Sequence, residues 1–266
     1  MFGISDFINI DALMEAGGRW ERSLPFNHVV IDDFFDKDFA THLENEFPSA
    51  DDDIWNVYSN SVEKKKACNN WNRFPEKTYR AFEYLNSEHF LSLLRKSLLG
   101  GGELSADPGL NGGGWHIHGR GDMLNTHLDY SLHPKLMLER KLNLIVYLNS
   151  NWQEDWGGQL GLWSNDRNSE PGELVVAIPP LFNRAIIFDT TQNSWHGLPD
   201  PIDCPQGQTR KSIAVYYMRQ PDKSAGVRSK ALFAPRPEQK KDYKVLDLIK
   251  KRSSAITASD VFISEE

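Results

Sequence analysis

Between Trp115 and Met218 the chain is a succession of short β-rich runs separated by turn residues, and this texture restricts the fold more than any other feature. The runs are 114–118, 142–148, 158–163, 173–178, 184–188 and 210–218, with Gly, Pro, Asn and Asp in the gaps. Strands so short and so evenly spaced predict a sandwich or barrel rather than βαβ units. Upstream, residues 29–34 (VVIDDF) read as a short buried strand. A helix with Leu43 and Phe47 on one face follows and stops at Pro48. Residues 75–85 and 88–99 read as helices. In the second, Phe90, Leu91, Leu94 and Leu98 form the apolar stripe, and Gly100-Gly101-Gly102 ends it. Residues 50–72 are polar and aperiodic, which predicts a long loop of the kind that often serves as a lid. Helices first and strands after give an α+β, mainly β chain, with N-terminal helices packed on the outside of a double sheet.

At 266 residues the chain suits one domain. We divide it into helical and loop support (1–114), a β core (115–220) and a polar C-terminal extension (221–266) holding a short helix at 243–252. Hydrophobic residues make up 39% and aromatics 11%, enough for a packed core. The net charge of −7 comes with a longest basic run of Lys64-Lys65-Lys66 and, near the C-terminus, Lys240-Lys241 and Lys250-Lys251-Arg252. All three read as solvated surface, so no nucleic-acid partner is expected. Cys68 and Cys204 lie in unrelated contexts and imply no disulfide framework. The N-terminal stretch lacks the basic and apolar regions of a signal peptide. No apolar run approaches the ~20 residues of a spanning helix. The expectation is a soluble, cytoplasmic protein without a membrane partner; its oligomeric state is not legible.

One segment carries chemistry, Asn125-Thr-His127-Leu-Asp129-Tyr130. Side chains alternate along a strand, so His127 and Asp129 would share a face and could share a metal. Far downstream, His196 follows the apolar run at 185–188. Two histidines and one carboxylate make the facial triad of non-haem Fe(II) sites, which leaves positions open for a bidentate keto acid and O2. A lone His-x-Asp carries little information; Arg210, fourteen residues past His196, adds to it. Alternation puts Arg210, Ser212 and Ala214 on one strand face and Lys211, Ile213 and Val215 on the other. A guanidinium that enters a barrel needs a carboxylate partner, which the distal end of 2-oxoglutarate would supply as a bidentate contact.

In combination, His127-x-Asp129, Tyr147-Leu-Asn149, Gly157-Gly158-Gln-Leu160, His196 and Arg210-x-Ser212 resemble the 2-oxoglutarate/Fe(II) oxygenase superfamily, and within it the prolyl-4-hydroxylase-like branch. The resemblance implies a double-stranded β-helix (jelly-roll, cupin-like) core. It further implies Fe(II) and 2-oxoglutarate, and brings ascorbate into the list of candidate cofactors. Arg210 would grip the C5 carboxylate with help from Tyr147 and Ser212. Where the branch often has a tyrosine about ten residues before the His-x-Asp, this chain has His116-Ile-His118. His116, His118, Asn143 and Trp163 are candidates for substrate contact or for supporting the ligands. Trp152, Trp156 and Trp163 also read as ordinary packing aromatics, and His133 as a turn residue.

The implied activity is hydroxylation of a prolyl residue in a protein or peptide. A free amino acid or small natural product is the alternative substrate, and a non-catalytic cupin-like binding module the alternative class. Asp129 excludes the halogenase variant of the site, in which a small residue replaces the carboxylate. Substrate would be read by the segments 50–72, 107–114 and 130–140.

Overall fold

The computed structural model describes residues 7–166, 170–223, 225, 228, 230–254 and 256. Among these, two antiparallel sheets face each other. The larger takes its strands from both halves of the chain: β1 (His28–Ile31), β2 (Asn56–Ser59), β3 (Glu63–Cys68), β4 (Ser105–Ala106), β5 (Gly114–His118), β6 (Met123–Leu124), β8 (Glu139–Tyr147), β11 (Ala185–Asp189) and β13 (Arg210–Arg219). Its order is β1-β11-β8-β13-β5-β3-β2, with β4 on β13 and β6 on β3. The smaller sheet runs β10-β9-β12-β7-β14, from β7 (His127–Leu128), β9 (Leu160–Asn165), β10 (Pro171–Ile178), β12 (His196–Gly197) and β14 (Leu232–Phe233). This is the double-sheet arrangement expected of the β-rich region.

Alternation along β8 and β13 decides which face does what. Leu142, Leu144 and Val146 of β8, with Ile213, Val215 and Tyr217 of β13, point away from the small sheet into the main core. There they meet the helices α1 (Ile10–Gly17), α2 (Lys37–Asn45), α3 (Glu76–Leu85) and α4 (Glu88–Leu94) through Leu13, Leu43, Phe82 and Phe90. The Tyr217 hydroxyl donates to the carbonyl of Leu85 at 3.0 Å and ties β13 to the end of α3. Ser87 caps α4 by accepting from the Phe90 amide. After α4 the chain widens into a π-helical turn at Arg95–Leu99, and Gly100 closes it at φ 64°. The opposite residues of the two strands, including Asn143, Arg210, Ser212 and Tyr216, face the small sheet.

Two stretches read as polar periphery are paired and packed here. Residues 50–72 are not one long loop: β2 and β3 form a hairpin there, and β3 pairs with β5 through Lys66↔Ile117. Lysine has little strand propensity, and the hairpin exists because β5 offers it an edge. The polar C-terminal part likewise belongs to the architecture: β14 pairs with β7, and α5 (Tyr243–Arg252) buries Val245 and Leu248 against Phe233 and Val62. Lys65 and Arg252, read as surface residues, are accordingly drawn inward. None of the described helices is long and apolar enough to cross a membrane.

Candidate metal centre

His127 on β7 and His196 on β12 are direct partners across the ladder. Gly197 lets the two strands close, since a Cβ there would stand 2.8 Å from the Asn125 carbonyl oxygen. Asp129 follows β7 on the same side. One donor atom from each of the three lies within 4.8 Å of the others. The Nε2 atoms of His127 and His196 are each 3.8 Å from a carboxylate oxygen of Asp129.

The main chain fixes both rings. Nδ1 of His127 lies 3.0 Å from the carbonyl of Asn125, and Nδ1 of His196 lies 2.8 Å from that of Ser194. A carbonyl can only accept, so each Nδ1 carries a proton, and each Nε2 is the ring nitrogen left facing Asp129. Burial, reinforced by the neighbouring His196, pushes His127 down to about 3, which keeps it in the neutral, metal-binding form. Burial alone would raise the Asp129 carboxyl; His196, Arg140 and His127, with a hydrogen bond from Tyr216, hold it below the ordinary carboxylate range. Two imidazole lone pairs and an anionic carboxylate, all buried, are the donor set of a facial triad, and the residues fit a divalent first-row metal.

Several residues steady this group. Phe233 stacks on the His127 ring with centroids 5.2 Å apart. The Tyr216 hydroxyl donates to the Asp129 carboxylate at 3.1 Å, and Asn143 Nδ2 lies 3.4 Å from it. Arg228 donates to the Asp129 carbonyl at 3.2 Å. Arg140, 1% exposed, lies between the rings of Tyr130 and Tyr216, its guanidinium carbon 3.4 and 3.5 Å from their centroids. One of its nitrogens approaches Asp129 to 3.9 Å. Gly112, at φ 76°, makes room for it, since a Cβ would meet that guanidinium at 2.8 Å.

Opposite the triad, the large sheet closes a cavity of about 240 Å³ with His116, His118, Asn143, Arg210 and Ser212 in its lining. Arg210 is 4% exposed. Its Nε donates to the Gly158 carbonyl at 2.7 Å, and no carboxylate pairs with it among the described residues. Gly158 earns its place in the Gly157-Gly158 pair: at φ 79°, a Cβ would press on Arg210 Cδ at 2.9 Å. Tyr147 is fully buried behind the cavity, its ring 4.7 Å from the Arg210 guanidinium carbon. Its hydroxyl, both ring nitrogens of His118 and Asn143 Oδ1 are buried without a hydrogen-bond partner. Orphaned polar atoms are rare in native interiors. Together with an unmatched guanidinium they fit a polar, anionic ligand, as 2-oxoglutarate is.

The structure therefore brings nine of the ten sequence candidates to this cavity or directly behind it. Trp163 is the exception: alternation on β9 turns Leu162 toward His196 and sends Trp163 outward, against Leu128, Trp195 and Ala234. Sequence reading also missed Tyr216, Arg140, Lys65, Glu63, Arg228 and Phe233. Tyr216 was within reach, two residues beyond Ala214 on the face already assigned to Arg210.

Residues 113–218 match the 2OG-Fe(II) oxygenase superfamily. Over 196 residues, 73% of this chain, the protein is 25% identical to prolyl 3-hydroxylase OGFOD1 of Xenopus laevis. The chain spans about a third of the length of the curated relatives it matches. Among solved structures it is similar to a Pseudomonas putida prolyl-4-hydroxylase, with a TM-score of 0.55 and 15% identity over 79% of this chain and 100% of the other. It is also similar to a Trichoplax adhaerens prolyl hydroxylase in complex with a hypoxia inducible factor peptide, with a TM-score of 0.52 and 18% identity over 79% and 91%. Both likenesses concern the fold: a double-stranded β-helix with helices outside it. The superfamily match lies across the strands that form the cavity and includes His127, Asp129, His196 and Arg210.

Proposed function

We propose that His127, Asp129 and His196 hold the iron, that Arg210 anchors 2-oxoglutarate with Tyr147 and Ser212 beside it, and that the enzyme hydroxylates a prolyl residue in a protein or peptide. The observation that carries this reading is Arg210, a buried guanidinium with no carboxylate partner among the described residues, in the same cavity as the triad. An unpaired buried cation is costly. A dicarboxylate cosubstrate relieves that cost and is aimed at the metal by the same contact. Iron, 2-oxoglutarate and O2 supply the oxidising chemistry: one oxygen atom enters the substrate C–H bond, the other enters succinate, and CO2 leaves.

The protein's own work is positional. The Asn125 and Ser194 carbonyls hold the two imidazoles, and Tyr216, Asn143 and Arg140 hold the carboxylate. Phe233 and Phe188 cover the rings of His127 and His196 and keep water from them. The prolyl reading is supported by the named activity of the 25% identical relative. It is tested by incubating proline-containing peptides with Fe(II), 2-oxoglutarate and O2. A +16 mass shift confined to proline, with stoichiometric succinate, is expected. Succinate without any shifted peptide would refute the substrate assignment.

A further inference from the structure

We propose that the substrate carries a carboxylate beside its reacting carbon and that Lys65 receives it. This deepens the oxygenase reading and rests on it. The hairpin places Lys65 where the sequence alone did not: Glu63, Lys65 and Ala67 share one face of β3, and Glu63 and Lys65 line the cavity of the triad. The Lys65 side chain is only 17% exposed. Its ammonium donates to Glu63 Oε1 at 2.9 Å, and the other Glu63 oxygen is taken by Arg252. One carboxylate thus serves two cations. An ammonium has three hydrogens to donate; besides Glu63, Lys65 has the face of the Tyr58 ring 5.3 Å away.

The charge of the whole cavity points the same way. Its lining holds five cations, Lys65, Arg140, Arg210, Lys230 and Arg252, against two carboxylates, Glu63 and Asp129. Fe(II) adds two positive charges and 2-oxoglutarate two negative ones, so the loaded site keeps a surplus of three positive charges. His116 and His118 do not change the count, because burial drives both below their usual range, His116 to about 3. Arg210 is assigned to the cosubstrate and Arg140 to Asp129, while Lys65 and Arg252 share Glu63, whose single charge cannot neutralise both. Lys65 and Lys230 carry the surplus, and Lys65 is the one held in place, by Glu63 and by strand pairing that sets its neighbours Lys66 and Ala67 against Ile117 and His116. In a partly desolvated cavity such a surplus draws in an anion and rejects a cation. The carboxylate belongs either to an acidic residue flanking the target in a peptide or to the α-carboxylate of a free amino acid.

Calorimetric titration of the protein loaded with Mn(II) and N-oxalylglycine, an inert stand-in for 2-oxoglutarate, separates these sources. Two matched pairs are compared: acetyl-Ala-Glu-Pro-Glu-Ala-amide against its Gln counterpart, and proline against prolinamide. In at least one pair the acid should bind tenfold or more tighter than the amide. Lys65→Gln should remove most of that preference, and Lys65→Arg should retain it. Acids that bind no better than amides in both pairs, or a preference that survives Lys65→Gln, overturn the proposal. Wild-type protein that binds Mn(II) and 2-oxoglutarate yet shows no acid preference sinks this inference alone. Failure to bind 2-oxoglutarate at all would sink the oxygenase reading beneath it.

Discussion

Arg210 and Lys211 are neighbours with opposite fates: one guanidinium enters the cavity of the triad, and the other side chain turns outward toward Phe47. Arg210→Ala should weaken 2-oxoglutarate by ~2 kcal/mol, roughly thirtyfold, the loss of a charged hydrogen-bond partner. Metal affinity should stay close to wild type, and Lys211→Ala should leave 2-oxoglutarate binding within about twofold. Binding isotherms for cosubstrate and metal check both. A second consequence at this scale concerns pH. His116 and His127 are pushed down to about 3 and His118 well below its usual value, burial being the largest cause each time. Such a ring stays neutral in the fold and takes up a proton on unfolding. Acidification from pH 6.5 toward 5 should therefore destabilise the metal-free protein, by on the order of 1 kcal/mol per pH unit for each ring. Denaturant melts across that window measure the slope, and His116→Gln should flatten it by about one ring's share. The sequence made the first of these residues legible because strand alternation is a local rule. It could not show Arg140, whose partners Asn111, Tyr130 and Tyr216 come together only when β13 pairs with β8.

Among the elements, β5 at Gly114–His118 and α5 at Tyr243–Arg252 have the bounds that the sequence pattern gave them. Their turn and capping signals are local: glycine before β5, and Asp242 capping α5 through the amides of Lys244 and Val245. The β2–β3 hairpin was illegible for the opposite reason. Three consecutive lysines look solvated, and only the edge of β5 and the Arg252 side chain of α5 turn Glu63 and Lys65 into interior residues. β3 and α5 are held together by the Glu63–Arg252 pair, 4% and 7% exposed. Burial by itself would raise the Glu63 carboxyl, and Lys65 and Arg252 hold it below the ordinary range. Glu63→Ala leaves two buried cations facing each other and should cost about 3–5 kcal/mol in a denaturant melt. Adding Arg252→Met should restore part of the loss. Two single losses that simply add in the double variant would show that the pair is not coupled.

On the scale of the whole molecule, the proposed metal ligands lie on the side of the small sheet and Arg210, the proposed cosubstrate anchor, on the large one, with the cavity between them. Neither sheet holds a complete site, so metal and 2-oxoglutarate should bind interdependently. The two halves are legible as the motifs His127-x-Asp129 and Arg210-x-Ser212. The packing that sets them face to face comes from the leucines and valines on the other side of β8 and β13, which bind the helices. Anaerobic titration tests this directly. Fe(II) and 2-oxoglutarate together should produce the weak visible absorption of a keto acid chelated to ferrous iron, and either alone should not. Asp129→Ala should abolish the band, Arg210→Ala should shift it to higher 2-oxoglutarate, and admitting O2 should bleach it with release of succinate. No band with both ligands present, or a band that O2 leaves intact without succinate, would contradict the account.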